Sequence, residues 1–416
     1  MGTNNHPDTR RLGVVVAGSL SEGLQVRLDG GTSVEDMAVG RYVVVEGEKR
    51  NFFGIVTDVK LGATSPQIAV SPPDISDPFI AEVVAGTSTF GALTVTPMLT
   101  VGQDAIAQAT GPQPVKTVPA HFSPVKEASV ADVEAVFGRE DGQHFYIGQP
   151  LDMDTKVCLN LSRLVERSSG VFGKSGTGKT FLTRLLLIGI VQKEAAVNLV
   201  FDMHNEYGHR GTAGGGKYVH GLQPLFLSRV AIFTLDEQST RARGAAADFV
   251  VEIGYDQIQP EDVAMLQEAL SLSDPMVETV YMLGRIFGEK RWFGELLELE
   301  TPAAVEALSR EKGLNPNTLS ALHRKVVSRL ASLSFLKRDA FDNSVQRILE
   351  CLDRGTHVVL EFGRHAKLDT YILVANVLTR RIHELYVARK EEAMGNQAQE
   401  PRPLVITIEE AHKFLN

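Results

Sequence analysis

Two cysteines in 416 residues, Cys158 and Cys351, with no CxxC pair, leave no disulfide framework and no zinc site to be read from sulfur. Long apolar runs are missing as well. The longest, residues 185–191, falls far short of the roughly 20 residues that cross a bilayer. The opening MGTNNHPDTRRL has no apolar core for a signal peptide, and His6 stands where a myristoylation signal requires Ser or Thr. A cytoplasmic chain without a membrane partner is expected. A basic surplus is absent too: 42 Lys and Arg face 51 Asp and Glu, and residues 1–150 alone hold 10 against 17. Attraction of a polyanion by the overall field is thereby excluded, so any such partner must be met by a local patch. What is there, 43% hydrophobic and 22% charged residues, is ordinary for a folded chain of two to four domains.

From Leu12 to about Val70 the segments are short and alternate, as in LQVRLDG, where Leu24, Val26 and Leu28 interleave with Gln25, Arg27 and Asp29. Period-two alternation with glycine-bearing turns predicts a small antiparallel barrel. FIAEVVAG through LTVTPML reads as further strand, so the barrel is placed at 1–110, with a Pro-bearing connector at 111–143. An α/β core follows at 144–239, in which SGVFG and VNLVFDM are expected strands and FLTRLLLIGIVQK a helix showing Leu182, Leu185, Leu186 and Gly189 at helical spacing. Residues 240–350 lose the strand signal and read as an all-helical insertion. There TLSALHRKVVSRLASL lines up Leu319, Leu322, Val326, Leu330 and Leu333, and the core resumes at 351–416 with HVVLEFG, a helix, a charged linker at 389–402 and PLVITI. The run AGGGK at 213–217 has no strand immediately before it and no Ser or Thr after its lysine, so a flexible loop is expected.

Gly173, Lys174, Ser175, Gly176, Thr177, Gly178, Lys179 and Thr180 satisfy G-x-x-x-x-G-K-[ST], and Phe181 follows at the start of the helix. In such a loop the glycines let backbone N–H groups converge on phosphate oxygens. The lysine reaches the terminal phosphates, and the hydroxyl is offered to Mg2+. The strand-like LVITI then delivers two adjacent acids, Glu409 and Glu410. Hydrolysis of a nucleoside triphosphate uses one acid to hold the magnesium shell and a second to activate water, roles that fit Glu409 and Glu410 in that order. A third cluster, Asp202, His204, Glu206 and Tyr207 in FDMHNEYG, follows the strand after the phosphate loop. It lacks further ligands to complete a metal site, and polar contact with nucleotide or a neighbouring subunit is the reading preferred.

GKSGTGKT, VFDMHNEY and IEEAHKFLN, in that order, resemble the HerA-type ATPases. These are the hexameric DNA-pumping relatives of FtsK-like translocases among the additional-strand P-loop proteins. The resemblance implies an N-terminal HAS-type β-barrel, a RecA-like core with a helical insertion, and ATP with Mg2+. It also implies a homohexameric ring acting on double-stranded DNA, and a NurA-like nuclease or another effector as partner. Carried over residue by residue, it gives Lys179 and Thr180 to the triphosphate and magnesium, Glu409 to magnesium, Glu410 to water activation, and Asp202, His204, Glu206 and Tyr207 to the second family signature. Glu409 departs from the Asp more common among such enzymes. The family also continues past this motif with further strands, a sensor residue and a trans-acting arginine, so the chain is expected to be a fragment of low activity by itself.

Two other assignments compete with a DNA motor: a conjugation or secretion ATPase, and a nucleotide-dependent scaffold ring. A basic run at 318–347, with Arg324, Lys325, Arg329, Lys337, Arg338 and Arg347, is either a solvated face or a phosphate-contacting one.

Overall fold

A computed structural model describes residues 10–413 apart from 71–72, 75, 88, 105–109, 151–152, 213–217, 341–343 and 396–399. The glycine run at 213–217 thus lies outside the described residues. The chain divides into two compact units, residues 1–161 and 162–416.

In the first unit seven strands form one sheet: β1 (Arg11–Ser19), β2 (Gly23–Leu28), β3 (Tyr42–Glu46), β4 (Arg50–Ala63), β5 (Thr89–Gly102), β6 (Gln113–Pro114) and β7 (Pro124–Glu127). Their order, β2-β1-β7-β3-β4-β5-β6 with β2 also paired to β5, closes six strands into a barrel and hangs β6 on its side. Alternation has its expected consequence. Leu12, Leu24, Val26, Val43, Val45, Phe52, Val56, Leu93, Val95 and Val125 point inward and form one buried core. Irregularities in the long β4–β5 pairing, at Phe53/Gly54 and Val56/Asp58, sharpen the twist that closure needs.

Two expectations fail here. FIAEVVAG is a helix, Pro78–Thr87, not a strand. Its start carries a helix signal, Pro78 in the first turn behind Asp77, whose carboxylate accepts the Phe79 N–H at 2.9 Å. The stretch 111–143 is also more than a connector. It supplies β7, seated between β1 and β3, and a capped helix, Val130–Phe137. Four residues are too few for periodicity to show, and only pairing on both sides makes them a strand. The hairpin β8 (His144–Gly148) and β9 (Val157–Asn160) follows, and Val157 and Met153 pack on the cluster of Val44, Phe53, Ala128 and Val133.

The second unit is built on β10 (Val197–Asp202), the small hairpin β11 (Arg210–Thr212) and β12 (Tyr218–His220), β13 (Val230–Thr234), β14 (Phe249–Val250), the pair β15 (Ile253–Gly254) and β16 (Leu336–Lys337), β17 (His357–Glu361) and β18 (Leu404–Ile408). The main sheet is parallel, in the order β14-β13-β17-β10-β18. Leu199, Phe201, Phe233 and Leu360 face one side, and Val200, Ile232 and Val359 the other, so helices cover both faces.

The region 240–350 is helical in the main, but it carries β14 on the edge of the sheet and β15–β16. It shares a single core with the sheet: Trp292, Phe293, Leu319, Leu322, Val326 and Leu330 join Phe233, Leu360 and Tyr371. The charged stretch 389–402 begins as helix, since Leu368–Gly395 runs through it. Lys, Glu, Ala and Met are strong helix formers whether or not they are solvated. In the helix Lys179–Lys193 the buried side is Arg184, Leu187, Ile190 and Val191 with Gly189, while Leu182, Leu185 and Leu186 are half-buried. That helix is apolar nearly all round, and periodicity cannot choose a face for it.

The expected strand SGVFG does not form: residues 168–174 carry no regular structure, and Phe172 is 93% exposed. Two apolar residues between glycines, Val171 and Phe172, hold no strand unless a sheet edge pairs with them. Four of the six basic side chains named in the run have partners. Lys325 donates to the Ser271 carbonyl, Arg329 meets Asp369 at 3.4 Å, Arg338 meets Glu298 at 3.0 Å, and Arg347 lies over the Phe249 ring. Among the described residues no helix is long and apolar enough to cross a membrane.

Candidate nucleotide site

Four parallel strands end side by side, at Thr234, Glu361, Asp202 and Ile408. In open α/β sheets ligands bind beyond these carboxyl ends.

Asp202 is fully buried and organises the loop after β10 by accepting N–H groups from Glu206 at 2.8 Å, Tyr207 at 2.8 Å and Gly208 at 3.3 Å. Burial raises its pKa to about 7, helped by the nearby Glu361 and opposed by the three donors. Glu409 lies just past β18. Its own N–H donates to the Tyr371 hydroxyl at 3.0 Å, and that hydroxyl is 3.3 Å from the Phe201 carbonyl. The His204 backbone and the Tyr207 hydroxyl lie on the side of its carboxyl where they favour the ionised form. Burial, then the charges of Asp202 and Glu206, push Glu409 up to about 8, and burial likewise pushes the Tyr207 hydroxyl up. Asp202, Glu206, Tyr207 and Glu409 are thus brought together, while His204 takes part through its backbone and leaves its side chain exposed. Glu410 turns away on a left-handed backbone, φ 49°, and its Oε2 is 3.2 Å from His412 Nδ1. Both acids are half-buried as residues, but the Oε2 of Glu409 is shut off from solvent, whereas the carboxylate of Glu410 lies against His412.

The phosphate loop is open. Residues 173–178 are exposed, and Gly176 and Gly178 hold φ +79° and +91° with nothing near an added Cβ. Only glycine adopts such a backbone freely, which leaves the N–H groups at the helix start accessible to an anion. The helix begins at Lys179, whose ammonium donates to the Lys174 carbonyl at 3.1 Å; the Thr177 hydroxyl donates there too, at 2.7 Å. Ser175 is exposed, Thr180 is half-buried in the first turn, and Phe181 is 58% exposed.

Magnesium fits the residues present. Glu409 Oε2 is buried without a hydrogen-bond partner, and hard oxygen donors in this setting suit the ion. Among the described residues no three His, Cys, Asp or Glu side chains converge as an all-protein metal site would require. Mg2+ dispenses with such a cage, because it commonly uses one or two carboxylates with water and phosphate.

Sequence reasoning missed the residues that tie these pieces together. Arg184, buried in the helix Lys179–Lys193, donates to the Glu206 carbonyl at 2.8 Å and lies over the Tyr207 ring. A lone arginine among leucines was the available signal. Buried Glu361 pairs with Arg243, and Asp236 takes Arg364 in a two-pronged contact at 2.6 and 3.0 Å that holds its carboxyl well below the usual range. These partners lie more than a hundred residues apart, beyond any local pattern.

Residues 145–382 match the family model described as helicase HerA, central domain. The chain belongs to the HerA family. Residues 12–107 match the HAS barrel domain, in the same stretch that forms most of the closed barrel. No curated protein matches the chain. A HerA-family chain is a P-loop ATPase, and the glycine loop and the strand-end acids are where that chemistry is expected in this one.

Proposed function

We propose that this HerA-family chain is the ATP-hydrolysing subunit of a homohexameric ring that moves or unwinds double-stranded DNA in the cytoplasm. Its partner would be a NurA-like nuclease in end processing, or another effector in a defence complex. The observation that carries the reading is the Arg184–Glu206 contact, which fastens the phosphate-loop helix to the loop embracing Glu409.

Gly173, Gly176 and Gly178 leave the loop backbone free to wrap phosphate, and Lys174, Ser175 and Thr177 complete the stretch. Lys179 then exchanges its Lys174 carbonyl for phosphate oxygen, with Phe181 beside it on the helix. Thr180 and Glu409 would hold Mg2+, which neutralises charge on the phosphates when bound. Glu410, which in this structure turns away toward His412, would have to swing toward the phosphates to take a proton from water. Asp202 shapes the loop from which His204 and Tyr207 reach Glu409.

Arg329 and Arg338 stay more than half exposed despite their ion pairs, so a phosphate path over the helical region competes with one over loops of the core. The deciding experiment measures ATP turnover with and without blunt and tailed duplexes, together with the Glu410→Gln variant. Duplex-stimulated turnover that Glu410→Gln abolishes is expected. Turnover indifferent to DNA would favour a scaffold ring, and turnover indifferent to Glu410→Gln would remove the assignment of the acids.

A further inference from the structure

Beyond the acids and the phosphate loop, one side chain bridges two of the strand-end loops. Asn205 lies in the loop after β10 at φ 57°, a left-handed backbone in which asparagine is among the few tolerated residues. Its Oδ1 accepts the Gly363 N–H of the loop after β17 at 3.0 Å. Gly363 is itself left-handed, φ 59°, and an added Cβ there would lie 2.6 Å from Asp236 Cβ, so only glycine meets Asn205 at this point. The next residue, Arg364, donates its backbone N–H at 3.2 Å and its guanidinium to Asp236, in the loop after β13.

Followed in order, the bonds form a chain of loops. Asp236 holds Arg364, the Gly363 N–H is held by Asn205, and Glu409 after β18 is tied to the end of β10 through the Tyr371 hydroxyl, beside the loop that carries His204 and Tyr207. Asp202 fixes the far end of the same loop through Glu206, Tyr207 and Gly208. Asn205 is thus a side chain by which, among the described residues, the loop carrying His204 and Tyr207 is clasped to the neighbouring strand end, beside the backbone bond from the Phe362 N–H to the Asp202 carbonyl. None of the motif roles assigned above uses it.

We infer that Asn205 is a positioning residue for hydrolysis: its clasp on Gly363 sets where His204 and Tyr207 place Glu409, without itself touching nucleotide. This role rests on the proposed ATPase reading. A misplaced catalytic group costs rate far more than binding, because the ground-state contacts of the nucleotide are made elsewhere, at the phosphate loop.

The test uses three proteins. Asn205→Gly keeps the left-handed backbone and deletes only the clasp; Asn205→Asp keeps an acceptor for the Gly363 N–H. ATP affinity of the parent is measured in the same series, and thermal unfolding checks that each variant is folded. Asn205→Gly is expected to lower kcat on the order of tenfold to a hundredfold with KM for ATP within about twofold, and Asn205→Asp to recover most of the rate. An unchanged kcat in Asn205→Gly, an equal loss in both variants, or a loss confined to KM overturns the role. A parent that fails to bind ATP would instead remove the proposed function on which the role rests, and the two failures are told apart by that one measurement.

Discussion

In the phosphate loop, residues 173–178 are exposed, and the side chains of Thr177 and Lys179 merely fold back onto the Lys174 carbonyl. At the strand ends, Asp202 is buried beneath three backbone donors, and Glu409 is packed among Tyr207, Tyr371 and a second carboxylate. The two would serve one reaction, yet one is built open and the other closed. An anion cradle must keep its N–H groups unspent until phosphate arrives, so it gains little from the fold. A buried acid pair must be held by the fold, because charge in a dry site is costly unless donors surround it. Changes in the open loop should therefore alter binding and leave stability alone, whereas changes in the closed cluster should register in stability and in its pH dependence.

The largest expected effect lies at the edge of the strand-end cluster. Glu410→Gln should lower kcat by about 10²- to 10⁴-fold while ATP binding persists, the range for loss of a positioned general base. Steady-state turnover and equilibrium ATP binding, measured on the same preparation, check it. Near-parental turnover would mean that Glu410 belongs to neither region functionally.

Next comes Lys179→Ala, which should weaken ATP binding by about 10- to 100-fold, the value of a charge-assisted hydrogen bond or two. Its melting temperature should match the parent's, because the ammonium contributes only an exposed contact. A variant that binds normally but melts early would reverse the comparison.

The closed cluster is probed by pH. Glu409 has its pKa raised by burial to about 8 and Asp202 to about 7, so the folded state holds protons that the unfolded chain releases near pH 4. Their contribution is fully present below the unfolded value and is lost progressively as pH rises from there through the folded values of about 7 and about 8. The parent should lose stability across that window, and Glu409→Gln, which cannot ionise, should lose less. A divergence of about 2 kcal/mol, or several degrees in Tm, between about pH 5 and pH 8.5 is expected without Mg2+. Parallel melting curves across the whole range would show that Glu409 is solvated and ionised.

The smallest effect is set by Phe181, which is 58% exposed beside the loop. Phe181→Ser should change stability by no more than about 0.5 kcal/mol. A larger loss, read from urea midpoints, would mean that the open region is packed after all.

Much of this arrangement was legible in residue order because it depends on local geometry. Alternation announced the barrel through Leu24, Val26 and Leu28, and glycine spacing announced the phosphate loop through Gly173, Gly176 and Gly178. LVITI announced a strand, and the structure sets its two following acids at the strand end. The helix Pro78–Thr87 was misread although Asp77 and Pro78 marked its start, since apolar residues on every side suit either structure. Strand β7 was missed because four residues carry no period, and the buried face of Lys179–Lys193 because that helix is apolar all round.

Which side chains meet is another matter. By itself the sequence determined the residue types that can touch phosphate and the backbone freedom of the loop that carries them, because both follow from neighbours within a few positions. Only the tertiary structure decided that the Oε2 of Glu409 is shut off from solvent while Glu410 turns toward His412, that Arg184 holds the Glu206 carbonyl, and that Asn205 clasps Gly363 from 158 residues away. Those outcomes depend on β10, β17 and β18 lying parallel in one sheet, where the cost of burying a charge and the donors that offset it come from segments distant in the chain.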